Sequence, residues 1–418
     1  MMDIILMTVF VSLSLINLSW LYLYFKPDRR YRTKSLPNVS IIIPAHNEER
    51  FIGETIHSLL NSKYPEKSEI IVVNDGSTDR TGEIVKKITK TNPKVRLLDT
   101  GHQGKANAIN IGVKHAKYDT IITLDADSTL TDGSLEELVK PLSEKNIAAT
   151  SGIIRGKVSK NPLSWFQDLD YIVSSGWRYV SNKINATAIL PGFTAFKKKI
   201  FLAIGGFSSD TLTEDFDIAL RIKKKGYDVV TTKASMITKT PSTLKQLFAQ
   251  RFRWGRGTIQ VAKKHSDVFF SKPFGTLGYY SMPIQIYWYL LPIFYLPSII
   301  YWMFSEYNKY YSSYSIFSSE AITYFFKWFT SYGPFDLIYN VLIGAYQYNF
   351  IFILTITSFV LSFSYLMLLM FKFSNLSWKH VLAYFFLFPY NLIIFFIQSL
   401  ALLYELVNTS KVYNRWHK

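Results

Sequence analysis

Val39-Ser40-Ile41-Ile42-Ile43-Pro44-Ala45-His46-Asn47-Glu48 is the stretch on which the fold turns. Residues 39–43 form a short run rich in β-branched side chains, which reads as a buried strand. A polar turn closes it, and residues 49–60 follow with apolar positions at helical spacing. The alternation then repeats: strands are predicted at 69–73, 95–98 and 120–124, with helices at 81–91 and 105–116. Strands alternating with helices imply parallel βαβ units and an α/β, doubly wound, Rossmann-like sheet. Ligands of such sheets bind beyond the carboxyl ends of the strands, so the residues just after each strand carry the functional expectation.

Outside this region the texture changes. The 418 residues are 49% hydrophobic and 17% aromatic but only 18% charged, which implies a soluble domain joined to a membrane part. Residues 4–25 are apolar over a length that can cross a bilayer. Asp3 precedes the run, and Lys26, Arg29, Arg30, Arg32 and Lys34 follow it, which is the reverse of a cleaved signal peptide. The positive-inside rule then puts the following domain in the cytoplasm. Further spans are expected at 279–304, 350–371 and 381–406. Residues 322–346 read either as a broken span or as a re-entrant or interfacial segment, because Lys327, Pro334 and Asp336 interrupt them. The basic tail, Lys411, Arg415 and Lys418, favours an even number of spans after the domain. The expected organisation is a membrane helix at 1–26, an α/β domain at 38–260, an interfacial helix at 261–275 and three or four membrane helices at 279–408.

The formal net charge of +17 suits an anionic membrane surface and a phosphate-bearing substrate better than a nucleic acid. With no cysteine, disulfides, thiol nucleophiles and cysteine zinc sites are excluded.

Four motifs carry chemistry. Asp75, in Asn74-Asp75-Gly76-Ser77, reads as an exposed strand-end carboxylate suited to a base or ribose, or as part of a capped turn. Asp125 and Asp127 follow an apolar strand; if the strand persists, positions i and i+2 face one point. Two carboxylates there suit a divalent cation with oxygen ligands, whereas a surface turn is the plainer reading. Asp215, in Thr213-Glu214-Asp215, is either a helix N-cap or a general base. In Gln250-Arg251-Phe252-Arg253-Trp254, Gln250, Arg253 and Trp254 share one helix face. That face suits a diphosphate and a sugar ring, or equally a helix at headgroup depth.

Together with Gly104-Lys105-Ala106-Asn107-Ala108, these motifs resemble glycosyltransferase family 2, of GT-A fold, and its processive membrane branch of cellulose, chitin, hyaluronan and poly-N-acetylglucosamine synthases. The resemblance spans roughly 39–260. It implies that Ala45, Glu48 and Asp75 line a uridine pocket, that Lys105 and Asp125 contact the nucleotide, and that Asp127, with Asp125, holds Mg2+ or Mn2+. Asp215 is then the base of an inverting displacement, Gln250 and Arg253 hold the diphosphate, and Glu214 and Trp254 face the acceptor. Gln167 and Asp170-Tyr171 fall where relatives carry Gln and Glu-Tyr, and the Asp-for-Glu change removes the expectation of a contact there. Residues 191–196 correspond to an acceptor-side loop.

The implied protein is a multi-pass enzyme of the plasma membrane with a cytoplasmic catalytic domain. It uses a UDP-sugar, UDP-GlcNAc or UDP-glucose first, to extend and export a β-linked glycan. Its partners are the donor, the growing glycan and the bilayer, with room for a small accessory membrane subunit and no nucleic acid. The alternative is a non-processive transferase acting on a lipid acceptor.

Overall fold

A computed structural model describes residues 2–31, 33, 35–345 and 349–408. Arg32, Lys34, Tyr346, Lys411, Arg415 and Lys418, which entered the topology expectation, lie outside the described residues. The strands are β1 (Val39–Ala45), β2 (Ser68–Asp75), β3 (Val95–Thr100), β4 (Thr120–Thr123), β5 (Ser128–Leu130), β6 (Ile147–Gly156), β7 (Thr194–Lys197) and β8 (Asp228–Thr238). The helices of the first half are α1 (Met2–Phe25), α2 (Ile52–Leu60), α3 (Thr81–Thr91), α4 (Lys105–His115), α5 (Ser134–Val139), α6 (Pro162–Asn182), α7 (Lys198–Ala203), α8 (Glu214–Lys224) and α9 (Leu244–Lys264). The remainder are α10 (Met282–Tyr311), α11 (Ser319–Phe329), α12 (Tyr332–Leu342), α13 (Phe350–Phe373), α14 (Trp378–Phe385) and α15 (Leu387–Val407).

All eight strands join one sheet in the order β3-β2-β1-β4-β7-β6-β8-β5. The expected parallel half is present: β1 pairs in parallel with β2 and β4, and β2 with β3. Beyond β4 the sheet becomes mixed, because β7 enters antiparallel between β4 and β6. Side chains alternate across the strands. Ile41, Ile43 and Val72 pack with Ile52, Ile56 and Val85 on one face. Ile42, Ile71 and Val73 pack with Ile109 and Val113 on the other. Burial on both faces is why these strands read as continuous apolar runs.

Four helices are long and apolar enough to cross a membrane: Asp3–Phe25, Leu277–Lys309, Phe350–Phe373 and Leu387–Val407. Hydroxyl and amide pairs tie three of them together. Ser12 and Ser19 bond the hydroxyls of Tyr287 and Tyr280, each at 2.6 Å, and Asn17 donates to Ser362 Oγ at 3.0 Å. Such interhelical polar contacts are a recurring means of holding helices together where lipid removes the hydrophobic driving force.

Two boundary expectations need correction. Residues 261–275 are not a separate interfacial helix: α9 continues to Lys264, and two single 3-10 turns follow. Within 322–345 the expected break is present: Thr330 is extended between the 11-residue α11 and α12. A Lys327–Asp336 ion pair (2.8 Å) bridges that break. The run 381–406 is divided at Phe386 into α14 and α15. Pro389 explains the division: it has no N–H to bond the carbonyl four residues back. That carbonyl, of Phe385, instead accepts the N–H of Ser331 at 2.9 Å.

The membrane region is fastened to the catalytic domain at two charged points. Asp168 of α6, fully buried, accepts from Arg155 Nε and Nη2 (2.8 and 2.6 Å), from the Gly156 N–H (2.8 Å) and pairs with His380 of α14 (2.9 Å). Arg155 also donates to the Phe373 carbonyl and Ser374 Oγ at the end of α13. Farther on, Arg256 and Gln260 of α9 bond Glu405 near the end of α15 (2.6 and 3.1 Å). Between these points α15 lies along α9, with Leu247 against Tyr390 and Ile394, and Ile259 against Leu402. Gly255 permits the closest approach: a Cβ there would lie 2.7 Å from that of Ala401.

Candidate active site

A cavity of about 510 Å3 opens at the carboxyl edge of the sheet. Its volume lies in the usual range for a small-molecule site. Of the expected residues, Glu48, Lys105, Asp125, Asp127, Glu214, Asp215, Gln250, Arg253 and Trp254 all line it. Ala45 and Asp75 do not.

Lys105, the first residue of α4, reaches Asp125 at 2.6 Å and Glu214 at 3.8 Å. Burial alone would lower its pKa, but the carboxylates of Asp125 and Glu214 hold it above the ordinary lysine value. β4 ends at Thr123, so the two aspartates do not converge through strand periodicity as expected. A turn at Ala126-Asp127 leads into β5 and carries Asp127 to the cavity. Burial, and then the nearby Asp125, push the Asp127 carboxyl up to about 6. One of its oxygens accepts from Thr238 Oγ1 at 3.2 Å. Gly192, at φ 32°, passes close by: a Cβ there would meet Asp125 Oδ2 at 2.8 Å. The loop of residues 191–196 thus presses against Asp125 and needs a glycine to do so.

Asp215 is the second residue of α8; the N-cap position belongs to Thr213. Its Oδ1 accepts the Phe216 N–H at 2.9 Å. Burial first, then the neighbouring Glu214 carboxylate, push it up to about 6, with Lys105 and Arg253 pulling in the opposite direction. A carboxylate raised to that range and facing a cavity is suited to accept a proton near neutral pH.

On α9, Gln250, Arg253 and Trp254 share the cavity face as the helical spacing predicts. Arg253 donates to the Leu212 carbonyl at 3.3 Å. Arg251 also lines the cavity, a role the motif spacing did not indicate. Its guanidinium pairs with Asp170 of α6 at 2.8 Å and lies 4.4 Å over the Trp254 ring and 5.4 Å over Tyr171. The Asp-for-Glu change at 170 therefore leaves a contact intact, and that contact props the indole in place. Beyond Trp254 the wall is made by Gln285 and Tyr289 of α10 and Gln398 of α15. Of the other aromatic residues at the start of α10, Tyr280 and Tyr287 bond α1, and Trp288 packs on Trp20.

Asp75 is fully buried, not exposed as the strand-end position suggested. Its carboxylate accepts the N–H groups of Gln103 and Gly104 at 2.7 and 2.9 Å and pairs with His102 at 3.1 Å. It thereby fixes the turn that delivers Lys105. Ala45 is buried as well, inside β1. The atoms of His46, Asp75 and His102 that can ligate a metal lie within 4.8 Å of one another. However, His46 Nδ1 sits 2.7 Å from the Asp75 carbonyl, its Nε2 is 3.2 Å from Asn47 Nδ2, and both Asp75 oxygens are engaged. With those atoms committed, the cluster is a hydrogen-bonded support, whereas Asp125 and Asp127 present oxygens to the cavity.

Comparison with known proteins agrees with this geometry. A family model described as Glycosyl transferase family 2 matches residues 40–205. The chain is 33% identical over 289 residues to a probable glycosyltransferase, YdaM, of Bacillus subtilis, covering 62% of this chain and 68% of that one. It is 30% identical over 253 residues to the poly-beta-1,6-N-acetyl-D-glucosamine synthase of Staphylococcus aureus, covering 58% of this chain and 61% of that one. The match thus spans about three fifths of that synthase's length. In structure it resembles the mannosyltransferase PcManGT of Pyrobaculum calidifontis, solved with GDP-Man and Mn2+, at a TM-score of 0.65 and 20% identity over 98% of this chain and all of that one. The mixed sheet with its carboxylate-lined edge is the GT-A fold, and the chain is a membrane glycosyltransferase that belongs to glycosyltransferase family 2.

Proposed function

We propose that this enzyme transfers a sugar from a UDP-sugar to a growing β-linked glycan and passes the product toward the membrane. One observation carries the reading: a single cavity joins the Lys105–Asp125–Asp127 edge to Gln285, Tyr289 and Gln398 of the membrane helices, by way of Trp254. Sugar hydroxyls need polar partners to enter such a region, since each unpaired one costs several kcal/mol (roughly 2–7).

In this reading the acceptor hydroxyl attacks the anomeric carbon and its proton goes to Asp215. The bond from that carbon to the diphosphate oxygen breaks, UDP leaves against Gln250 and Arg253, and the configuration inverts. The oxygens of Asp125 and Asp127 fit a hard divalent cation, Mg2+ or Mn2+, which would relieve their mutual repulsion. When bound, such an ion neutralises diphosphate charge.

Trp254, propped by Arg251, supplies an apolar face for the acceptor ring. Trp254→Ala is expected to shorten products from long chains to a few sugars while UDP-sugar affinity changes less than about threefold. Mass analysis of products from purified protein in proteoliposomes checks this. A wild-type product of one or two sugars on a lipid, open to added glycan hydrolase, would overturn the polymer reading and favour the lipid-acceptor alternative.

We assign the catalytic domain to the cytoplasmic side of the plasma membrane, on the basic residues Lys26, Arg29 and Arg30 after α1. Both ends of α15 contact α9 of the domain, Tyr390 and Ile394 against Leu247 and Glu405 against Arg256 and Gln260, so in this assignment α15 lies along the domain. α10 and α13 are then the two spans that follow the domain, and the chain end returns to the same side without 322–346 crossing. A cysteine introduced at Ser410, in a chain with none of its own, is expected to resist an impermeant thiol reagent in intact cells. Labelling before permeabilisation would refute the assignment.

A further inference from the structure

Arg178 of α6 is 5% exposed and lines the cavity that contains Asp215. Its Nη1 and Nη2 donate to the hydroxyls of Ser174 and Ser175 at 3.0 and 2.9 Å. Its Nε is buried without a hydrogen-bond partner, and among the described residues no carboxylate lies within ion-pair distance of it. The difference from Arg251 lies in the charge partner: Arg251, whose Nε also lacks a hydrogen bond, pairs with the Asp170 carboxylate, and Arg253 bonds the Leu212 carbonyl. Burial pushes the Arg178 pKa down to about 10, and the Asp215 carboxylate opposes this. The side chain therefore stays a cation at neutral pH.

A buried guanidinium satisfied only by two serine hydroxyls is costly to keep, and replacing such a charge with an apolar residue is commonly neutral or stabilising. A fold does not need this residue; a ligand with negative charge does. The position also selects which ligand. The proposed function gives the nucleotide to Lys105, Gln250 and Arg253, whereas α6 carries Asp170 and Tyr171, which contact Arg251 and Trp254 at the proposed acceptor platform. Guanidinium forks match carboxylate and phosphate oxygens geometrically.

We infer that Arg178 receives an anionic oxyacid group carried by the acceptor, either the carboxylate of an acidic sugar or the phosphate of a lipid carrier, beside Asp215. This rests on the glycosyl-transfer reading and names the acceptor class for it. Ser174, which also lines the cavity, and Ser175 act as positioning residues for the guanidinium.

The test uses full-length protein in nanodiscs of zwitterionic lipid, with two matched acceptor pairs. One pair is an oligosaccharide ending in a uronic acid and its methyl ester. The other is a polyprenyl phosphate and the free polyprenol. UDP release and product mass are measured at varied acceptor concentration. In the wild type, one acidic acceptor should exceed its neutral match in kcat/KM on the order of 10- to 100-fold, as expected for a charge-assisted hydrogen bond. Which pair shows the effect identifies the source of the anion. In Arg178→Gln that ratio should fall to about one, and Arg178→Lys should restore part of it. Arg178→Met should melt no lower than the wild type. Equal use of acidic and neutral acceptors by the wild type would overturn the assignment alone. So would an Arg178→Met variant that melts well below the wild type, because it would make the residue structural. Absence of UDP release with every donor and acceptor would instead overturn the glycosyl-transfer reading itself.

Discussion

Asp215→Asn is expected to lower turnover by on the order of 100- to 10,000-fold, the range lost when a positioned general base is removed. The side chain keeps its size, and its amide oxygen can still accept the Phe216 N–H. The UDP-sugar dissociation constant, read by calorimetry, should change little, because in the proposed function the residue serves the acceptor. The N-cap of α8 is Thr213, so loss of a cap cannot account for a defect. The pH profile gives an independent check. The Asp215 carboxyl is pushed up to about 6, and the base works only when ionised. Activity should be full above that value and fall about tenfold per unit below it. Stability should move the opposite way. Because the folded state binds this proton more readily than the unfolded chain does, the raised pKa makes stability decline as pH rises from about 4 to about 6. Asn carries no such penalty, so the variant should be at least as stable as the wild type at pH 7. A variant that turns over near the wild-type rate, or that loses activity through unfolding, would remove Asp215 from the mechanism.

Removal of the divalent ion should have the second large effect. EDTA is expected to abolish UDP release, and added Mg2+ or Mn2+ to restore it. Asp127→Ala should lose at least about 100-fold and should not be rescued by either ion, since several kcal/mol of charge stabilisation depend on it. The carboxyl is held up to about 6 by burial and by Asp125, so its negative form is poorly satisfied by the protein alone. Deleting it should therefore not destabilise the fold, and melting curves would verify that. Full turnover in EDTA would refute the metal assignment.

The contrast between what could be read from the residues and what could not follows the range of the interactions. Strands β1 to β4 and helices α2 to α4 announce themselves because their apolar periodicity is local. The spacing within residues 250–254 likewise puts three side chains on one helix face. Asp75 was misread because its partners, the N–H groups of Gln103 and Gly104, come from a later loop. Asp125 and Asp127 converge through a turn, although the apolar run before them reads as a strand continuing past them. The Asp170–Arg251 pair joins helices 81 residues apart in the chain, and no local pattern encodes it. Arg178 looks like one more cation on an amphipathic helix until its near-complete burial at the cavity wall is seen. The division at Phe386 was legible in principle from Pro389, but the apolar run masked it.

The seam between α9 and α15 limits how this enzyme can be dissected. Trp254 sits on α9, and the flank of that helix is covered by Ala401, Leu402 and Glu405 of a segment 150 residues later. A fragment ending after α9 would keep the sheet and its carboxylates. It would also bare Leu247, Gly255 and Ile259 to water, and lose Gln285 and Gln398 from the site. Part of the cavity wall is thus membrane protein, and under the proposed function a water-soluble truncation would keep the donor side yet lack part of the surface that seats the acceptor.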